Sequence, residues 1–165
     1  MESMRPATTA DIPIIRQLAK AIWPPTFKDI LSESQIAYML RLMYAEASLE
    51  KQMRTFGHCF FLLIVEEEAC GFMSLEHDVH HQGKTRIHKI YLLPKLQGKG
   101  LGAKMIQFAA KEARQKGDSA LILNVNKYNT AAKFYEKLGF ELVKEEVIPI
   151  GEGFVMDDFV FEKTL

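Results

Sequence analysis

The stretch LPKLQGKGLGAKMI, residues 93–106, sets Gly98, Gly100 and Gly102 at alternate positions. The apolar run TRIHKIYLL before it reads as a strand. A helical pattern follows to about Lys116, where KGD stops it. Glycine at this density weakens any regular element, so the segment is a strand-to-helix turn that uses bare backbone. Backbone N–H groups converge at such a turn and the helix dipole favours negative charge, which makes it a phosphate cradle. Two phosphate motifs do not fit. Counting from Gly98, a P-loop would need glycine where Ala103 stands and a hydroxyl where Met105 stands. The dinucleotide fingerprint tolerates Ala103, but the next strand ends in Asn124 where a ribose-binding carboxylate is wanted.

Working outward, a short strand fits Glu2 to Pro6. TTADIPIIRQLAKAIW follows with Thr9 as N-cap and Ile12, Ile15, Leu18, Ala19 and Ile22 at helical spacing. The prolines of WPPTF are expected to break that helix. SESQIAYMLRLMY is a second helix, capped by Ser32 or Ser34, and SLEKQMRTFG extends it or adds a third. From His58 the period changes. CFFLLIV and CGFMSLEH read as antiparallel strands joined by EEEA, and HHQGK turns the chain into TRIHKIYLL. SALILNV is the strand after the long helix. NTAAKFYEKLG is a short helix ended by Gly139, with Phe134 and Leu138 expected on its core side and Tyr135 on a neighbouring face. FELVKEEVI and FVMDDFVFEK close the chain as a strand pair. This order argues for a mixed, mostly antiparallel sheet with helices packed on it.

The 165 residues are of one-domain size. Zero formal net charge and 25% charged residues advertise neither nucleic acid nor an anionic membrane. No apolar run approaches a membrane span and MESMRPATTAD does not read as a signal peptide. Cys59 and Cys70 are too few for a disulfide framework, so a reduced, cytoplasmic protein is expected.

The pattern that does fit is Gln97-x-x-Gly100-x-Gly102 after KIYLL, with NVNKYNTAAKFYEKLGFE one strand later. The two motifs together, in order and on the right elements, resemble the acetyl-CoA-binding core of the GCN5-related N-acetyltransferase (GNAT) family. The resemblance implies an α+β fold in one domain, residues 1–165. Its acetyl-CoA core would cover about 58–140 and its acceptor-site helices about 10–56. A central, mostly antiparallel twisted sheet of about seven strands would carry helices on both faces, with one parallel strand pair splayed at the acetyl-CoA site.

Carried over residue by residue, the resemblance puts the backbone of Ile90, Tyr91 and Leu92 along the acyl-pantetheine. A bulge is expected in their strand, and the N–H near Leu92 faces the thioester oxygen. Gln97, Gly98, Lys99, Gly100, Leu101, Gly102 and Ala103 would wrap the pyrophosphate, where a side chain at Gly100 or Gly102 would collide with phosphate. Asn129 matches the family's CoA-contacting asparagine and fits equally as an N-cap. Tyr135 matches its general acid. A neutral amine would attack the thioester directly, and the departing thiolate would take the phenol proton.

Some members place a glutamate base where this chain has Asn124, which cannot accept a proton. His88 resembles the histidine of arylalkylamine-type members, and Glu76 is the other candidate base. Trp23, Phe27 and Tyr38 occur in an order similar to polyamine acetyltransferase-like members and, with Asn124, are the expected acceptor contacts. The implied partners are acetyl-CoA as cosubstrate and an amine acceptor, with no nucleic acid and no membrane; a homodimer stays open. The acceptor reads as a small-molecule primary amine. A protein or peptide amine is the nearest alternative, and a non-catalytic acyl-CoA sensor is one from another class. His77, His80 and His81 lie in a turn without the spacing of a zinc site, so no metal is expected.

Overall fold

The structure, a computed structural model, describes residues 1–165. In chain order the elements are β1 (Glu2–Pro6), α1 (Ile12–Phe27), α2 (Glu33–Tyr44), α3 (Glu46–Arg54), β2 (Cys59–Val65), β3 (Glu68–Glu76) and β4 (Lys84–Leu92). They continue with α4 (Leu101–Gln115), β5 (Ala120–Asn126), α5 (Ala131–Lys137), β6 (Glu141–Gly151) and β7 (Phe154–Thr164). All strands join one sheet in the order β1-β2-β3-β4-β5-β7-β6, with β4 and β5 parallel and every other pair antiparallel. Parallel neighbours need a crossover connection, supplied here by α4 between β4 and β5, and that helix lies on one face. Helices α1, α2 and α3 cover the other.

Each face has its own core. Leu101, Met105, Ile106, Ala109, Ala110 and Ala113 form the buried stripe of α4. Its alanines bring the helix close to Ile87, Leu121 and Leu123 of the sheet. On the opposite face Ile15, Ile22 and Trp23 of α1 pack with Leu49, Leu62 and Phe72. No helix is long and apolar enough to cross a membrane.

Two expectations at the first helix are corrected. The cap is Thr8, not Thr9: its side chain accepts from Ala10 and Asp11 reaches back to the Thr8 amide, a capping box over a short 3-10 turn that leads into α1. The helix also runs through Pro24 and Pro25 rather than breaking. Those prolines strip the carbonyls of Lys20 and Ala21 of their helical partners, but all four residues are exposed, where water replaces the missing donors. Trp23 and Phe27 on the inner side supply the packing that keeps the turn helical.

The feature that positions the site is a bulge in β4. Ser74 and Leu75 of β3 are consecutive, yet their partners are Lys89 and Ile87, which leaves His88 unpaired. The side-chain alternation therefore resets. Ile87 faces the α4 core before the bulge, and Ile90 and Leu92 do so after it, while Lys89 and Tyr91 turn to the α1 side. The parallel ladder with β5 ends at the same place, at Ile87 opposite Leu123. Beyond it β4 and β5 part.

Candidate active site

The parting strands open a cavity of about 990 Å³, within the range that holds a cofactor-sized ligand. Ile90, Tyr91 and Leu92 form one wall, and Val125, Asn126 and Asn129 the other. At its mouth stands the glycine turn. The amides of residues 98 through 103 donate to no protein acceptor; the first helical bond runs from Lys104 to Gly100. Six consecutive free N–H groups at a helix start are an anion cradle.

The glycines serve this turn in two ways. Gly98 and Gly100 both have φ near +80°, and a Cβ at either would project into open space. Gly102 has ordinary backbone angles, and a Cβ there would meet the Phe134 ring at 3.1 Å. The obstacle at Gly102 within the chain is thus an aromatic side chain. Gln97, Gly98, Gly100 and Gly102 line the cavity. Leu101 is buried beneath the turn, Ala103 is partly buried, and Lys99 is exposed with no ion-pair partner. Lys104 is tied to Glu2.

Tyr135 sits in the last turn of α5. That turn closes as a Schellman motif: Phe140 N–H bonds to Tyr135 C=O, Gly139 N–H bonds to Glu136 C=O, and Gly139 has φ +92°. The Phe140 ring packs 5.7 Å from that of Tyr135. The motif thereby fixes the tyrosine. Leu138 packs against the core as expected, but Tyr135 and Phe134 are exchanged: Tyr135 is 8% exposed and Phe134 is 36% exposed. Seven residues give too few turns for the periodicity to show which side is inward. The Tyr135 phenol lines the cavity, and burial pushes it up to about 12, so it holds its proton. Asn129 Oδ1 accepts from Ala131 N–H at 2.9 Å, so it caps α5 and lines the cavity at once.

The candidate base is one of a group. His88 Nε2 and Glu76 Oε1 are 2.8 Å apart, and His58 stacks on His88 with ring centroids 4.1 Å apart. Burial, Lys89 and Arg86 push His88 down to about 3, while burial, His88 and Lys89 push His58 down to about 4. Both imidazoles are neutral at neutral pH. His88 lines the cavity; Glu76 stands behind it. This group, rather than the His77–His81 turn, gathers three potential metal donors within 4.8 Å. Its stacked imidazoles and the partnerless, buried Nδ1 of His58 do not resemble an oriented ligand set.

Among the expected acceptor contacts, Phe27 lines the cavity, as does Trp23, which is 2% exposed and donates to Tyr44 Oη at 3.3 Å. Tyr38 lies outside the cavity and donates to Ile150 C=O. Asn124 is at the centre of a polar row: Arg86 donates to its Oδ1 at 2.6 Å, and its Nδ2 donates to Glu146 at 2.8 Å and Asp158 at 3.2 Å. Arg86, Glu146 and Asp158 escaped the sequence reading. They are ordinary charged residues on four-strand-wide neighbouring registers, and only the sheet order brings them together.

Residues 14–140 match the acetyltransferase (GNAT) family. The chain belongs to the GNAT family. It is accordingly an acetyl-CoA-dependent N-acetyltransferase. An uncharacterized N-acetyltransferase of the pepI 3′ region of Lactobacillus delbrueckii subsp. lactis is 29% identical over 94% of this chain and 92% of its own. A spermidine N(1)-acetyltransferase of Thermoplasma acidophilum is 24% identical over 93% and 94%. Among solved structures, the PaiA N-acetyltransferase from Thermoplasma acidophilum in complex with coenzyme A superposes with a TM-score of 0.83 at 24% identity, covering 100% of this chain and 99% of that one. The GNAT fold and its open seven-stranded sheet are as the sequence implied, bulge and splayed parallel pair included.

Proposed function

We propose that the chain transfers the acetyl group of acetyl-CoA to the primary amine of a small molecule. The observation that carries this is the six-amide cradle at the mouth of the β4–β5 opening, with the Tyr135 phenol inside it. The cradle holds the pyrophosphate, and the backbone edge of residues 90–92 left open on the β5 side orients the acyl arm. The amide near Leu92 faces the thioester oxygen, where a fixed donor stabilises developing negative charge. Tyr135, protonated at working pH, hands its proton to the departing sulfur.

The shape of the acceptor side supports a small molecule over a peptide. Gln35 Nε2 donates to Val155 C=O at 2.8 Å, and Tyr38 donates to Ile150 C=O. These two bonds fasten α2 to the β6–β7 hairpin and make a pocket where a peptide would need a groove. Residues Met39, Met43 and Ile148 give that pocket apolar walls.

The test is thiol release from acetyl-CoA with a panel of small amines, beside peptides with free N-termini or lysines, with mass detection of the acetylated product. Turnover with small amines and none with peptides is expected. Turnover confined to peptides overturns the acceptor class, and CoA stabilisation without any turnover points to a sensor. Chelator should leave the rate unchanged.

A further inference from the structure

A carboxylate with little company lies on the floor of the cavity. Asp158 of β7 is 4% exposed, pairs with no cation, and has none among the charges acting on it. Its Oδ2 accepts one neutral bond, from Asn124 Nδ2 at 3.2 Å, and its Oδ1 takes none although the residue lines the cavity. Glu146 of β6 is directly opposite Asp158 in the ladder and shares the same Asn124 nitrogen, at 2.8 Å. Like charges directly opposite on a sheet are destabilising, and a buried carboxylate without a cation is costly. Arg86 fixes the geometry by holding Asn124 Oδ1 at 2.6 Å, which turns the amide nitrogen towards both acids.

From this arrangement we infer that Asp158 and Glu146 form the slot for the acceptor's ammonium group, and that Asp158 removes its proton. The inference rests on the acetyl-transfer reading and names the charge state in which the acceptor arrives.

The surroundings agree. Burial pushes the Asp158 carboxyl above the usual range; Asn124 opposes this, and Glu146 and Asp157 add to it. A more basic carboxylate is a better acceptor for an ammonium proton. From β4, the Arg86 guanidinium and the Tyr91 phenol face the same region. Tyr91 is itself raised by burial and by both Tyr135 and Asp158, and all three line the cavity. His88, held down to about 3, is weakened as a proton acceptor, whereas burial strengthens Asp158.

The step balances. The ammonium gives one proton to Asp158 and becomes a neutral amine. Its nitrogen bonds to the thioester carbon while the carbon–sulfur bond breaks. The sulfur takes the Tyr135 proton, the acetylated nitrogen returns a second proton to the Tyr135 oxygen, and Asp158 releases its proton to solvent.

The experiment compares wild type, Asp158→Asn and Glu146→Gln with 1,4-diaminobutane, an ammonium at neutral pH, and with methoxyamine, which is uncharged there. Asp158→Asn should lower kcat/KM for 1,4-diaminobutane by about 10²-fold or more near pH 7. The loss should shrink as pH approaches the amine's own pKa, and methoxyamine should be nearly spared. Equal losses on both amines at every pH, or no loss on either, overturn the inference. Binding is measured independently by calorimetry in the presence of CoA, with n-butylammonium against n-butanol. Wild type should prefer the ammonium and Asp158→Asn should lose that preference; a wild type without it overturns the slot whatever its turnover. A melting shift with CoA in all three proteins shows that the acetyl-donor site is intact. Its absence in wild type would count against the donor-site reading instead.

Discussion

At Tyr135 one hydroxyl separates a chemical role from a packing role. Its ring is held by the Schellman turn and Phe140, and phenylalanine would keep both. Tyr135→Phe should therefore leave the melting temperature and CoA affinity nearly unchanged. Turnover should fall 10²–10⁴-fold, as is typical for a lost general acid. A steady-state assay beside a melting curve checks both halves. Gly100→Ala addresses the cradle. At φ +80° an alanine costs about 1–2 kcal/mol, and its methyl points into open space at the turn, where the proposed acetyl-donor site would seat the pyrophosphate. A small drop in melting temperature and loss of the CoA-induced shift are expected in thermal denaturation. The turn at Gly98 and Gly100, the Asn129 cap and the helix end at Gly139 were legible because local motifs encode local backbone; which face of α5 carries Tyr135 was not. Asp158 and Glu146 were not, because nothing near them in sequence distinguishes them from solvated strand residues. Their meaning lies in long-range register.

The bulged strand β4 carries the next level of consequence. By resetting the alternation at His88 it sends Lys89 and Tyr91 to the α1 side, and it stacks His88 on His58. In the unfolded chain both imidazoles protonate near pH 6.5. In the fold they do so only near 4 and 3. As pH falls the unfolded chain takes up protons first, so their contribution is complete above about 6.5 and declines as pH falls towards about 3. Melting temperatures measured from neutral pH downward should show this decline, and His58→Gln should make it shallower. The bulge itself was implied by family resemblance, since the alternation of TRIHKIYLL contains no glycine or proline to mark it. The helix through Pro24 and Pro25 was misread for a related reason. Proline's local penalty is decided by whether the orphaned carbonyls face water, which is a property of the packed helix.

At the scale of the whole molecule, two halves meet at the cavity. One is β1 to β4 with the first three helices; the other is β5, β6 and β7 with α5. The bonds from Gln35 and Tyr38 to the β6–β7 hairpin close the acceptor side across that divide. Tyr38→Phe removes one of them, a loss of about 1 kcal/mol. The KM for the amine should rise several-fold while the KM for acetyl-CoA stays the same, as two-substrate kinetics can resolve. Equal rises in both would place Tyr38 in general stability instead.

The early end of the β4–β5 ladder, at Ile87 and Leu123, has a further effect. Residues 89–92 keep their β3 partners but show their other edge to an open space. An unsatisfied strand edge is a template on which another chain can grow, and here it lies inside a sheet. A ligand with amide groups of its own would blunt that edge. Stored without CoA, the protein should turn turbid sooner than when stored with it, at equal concentration and temperature.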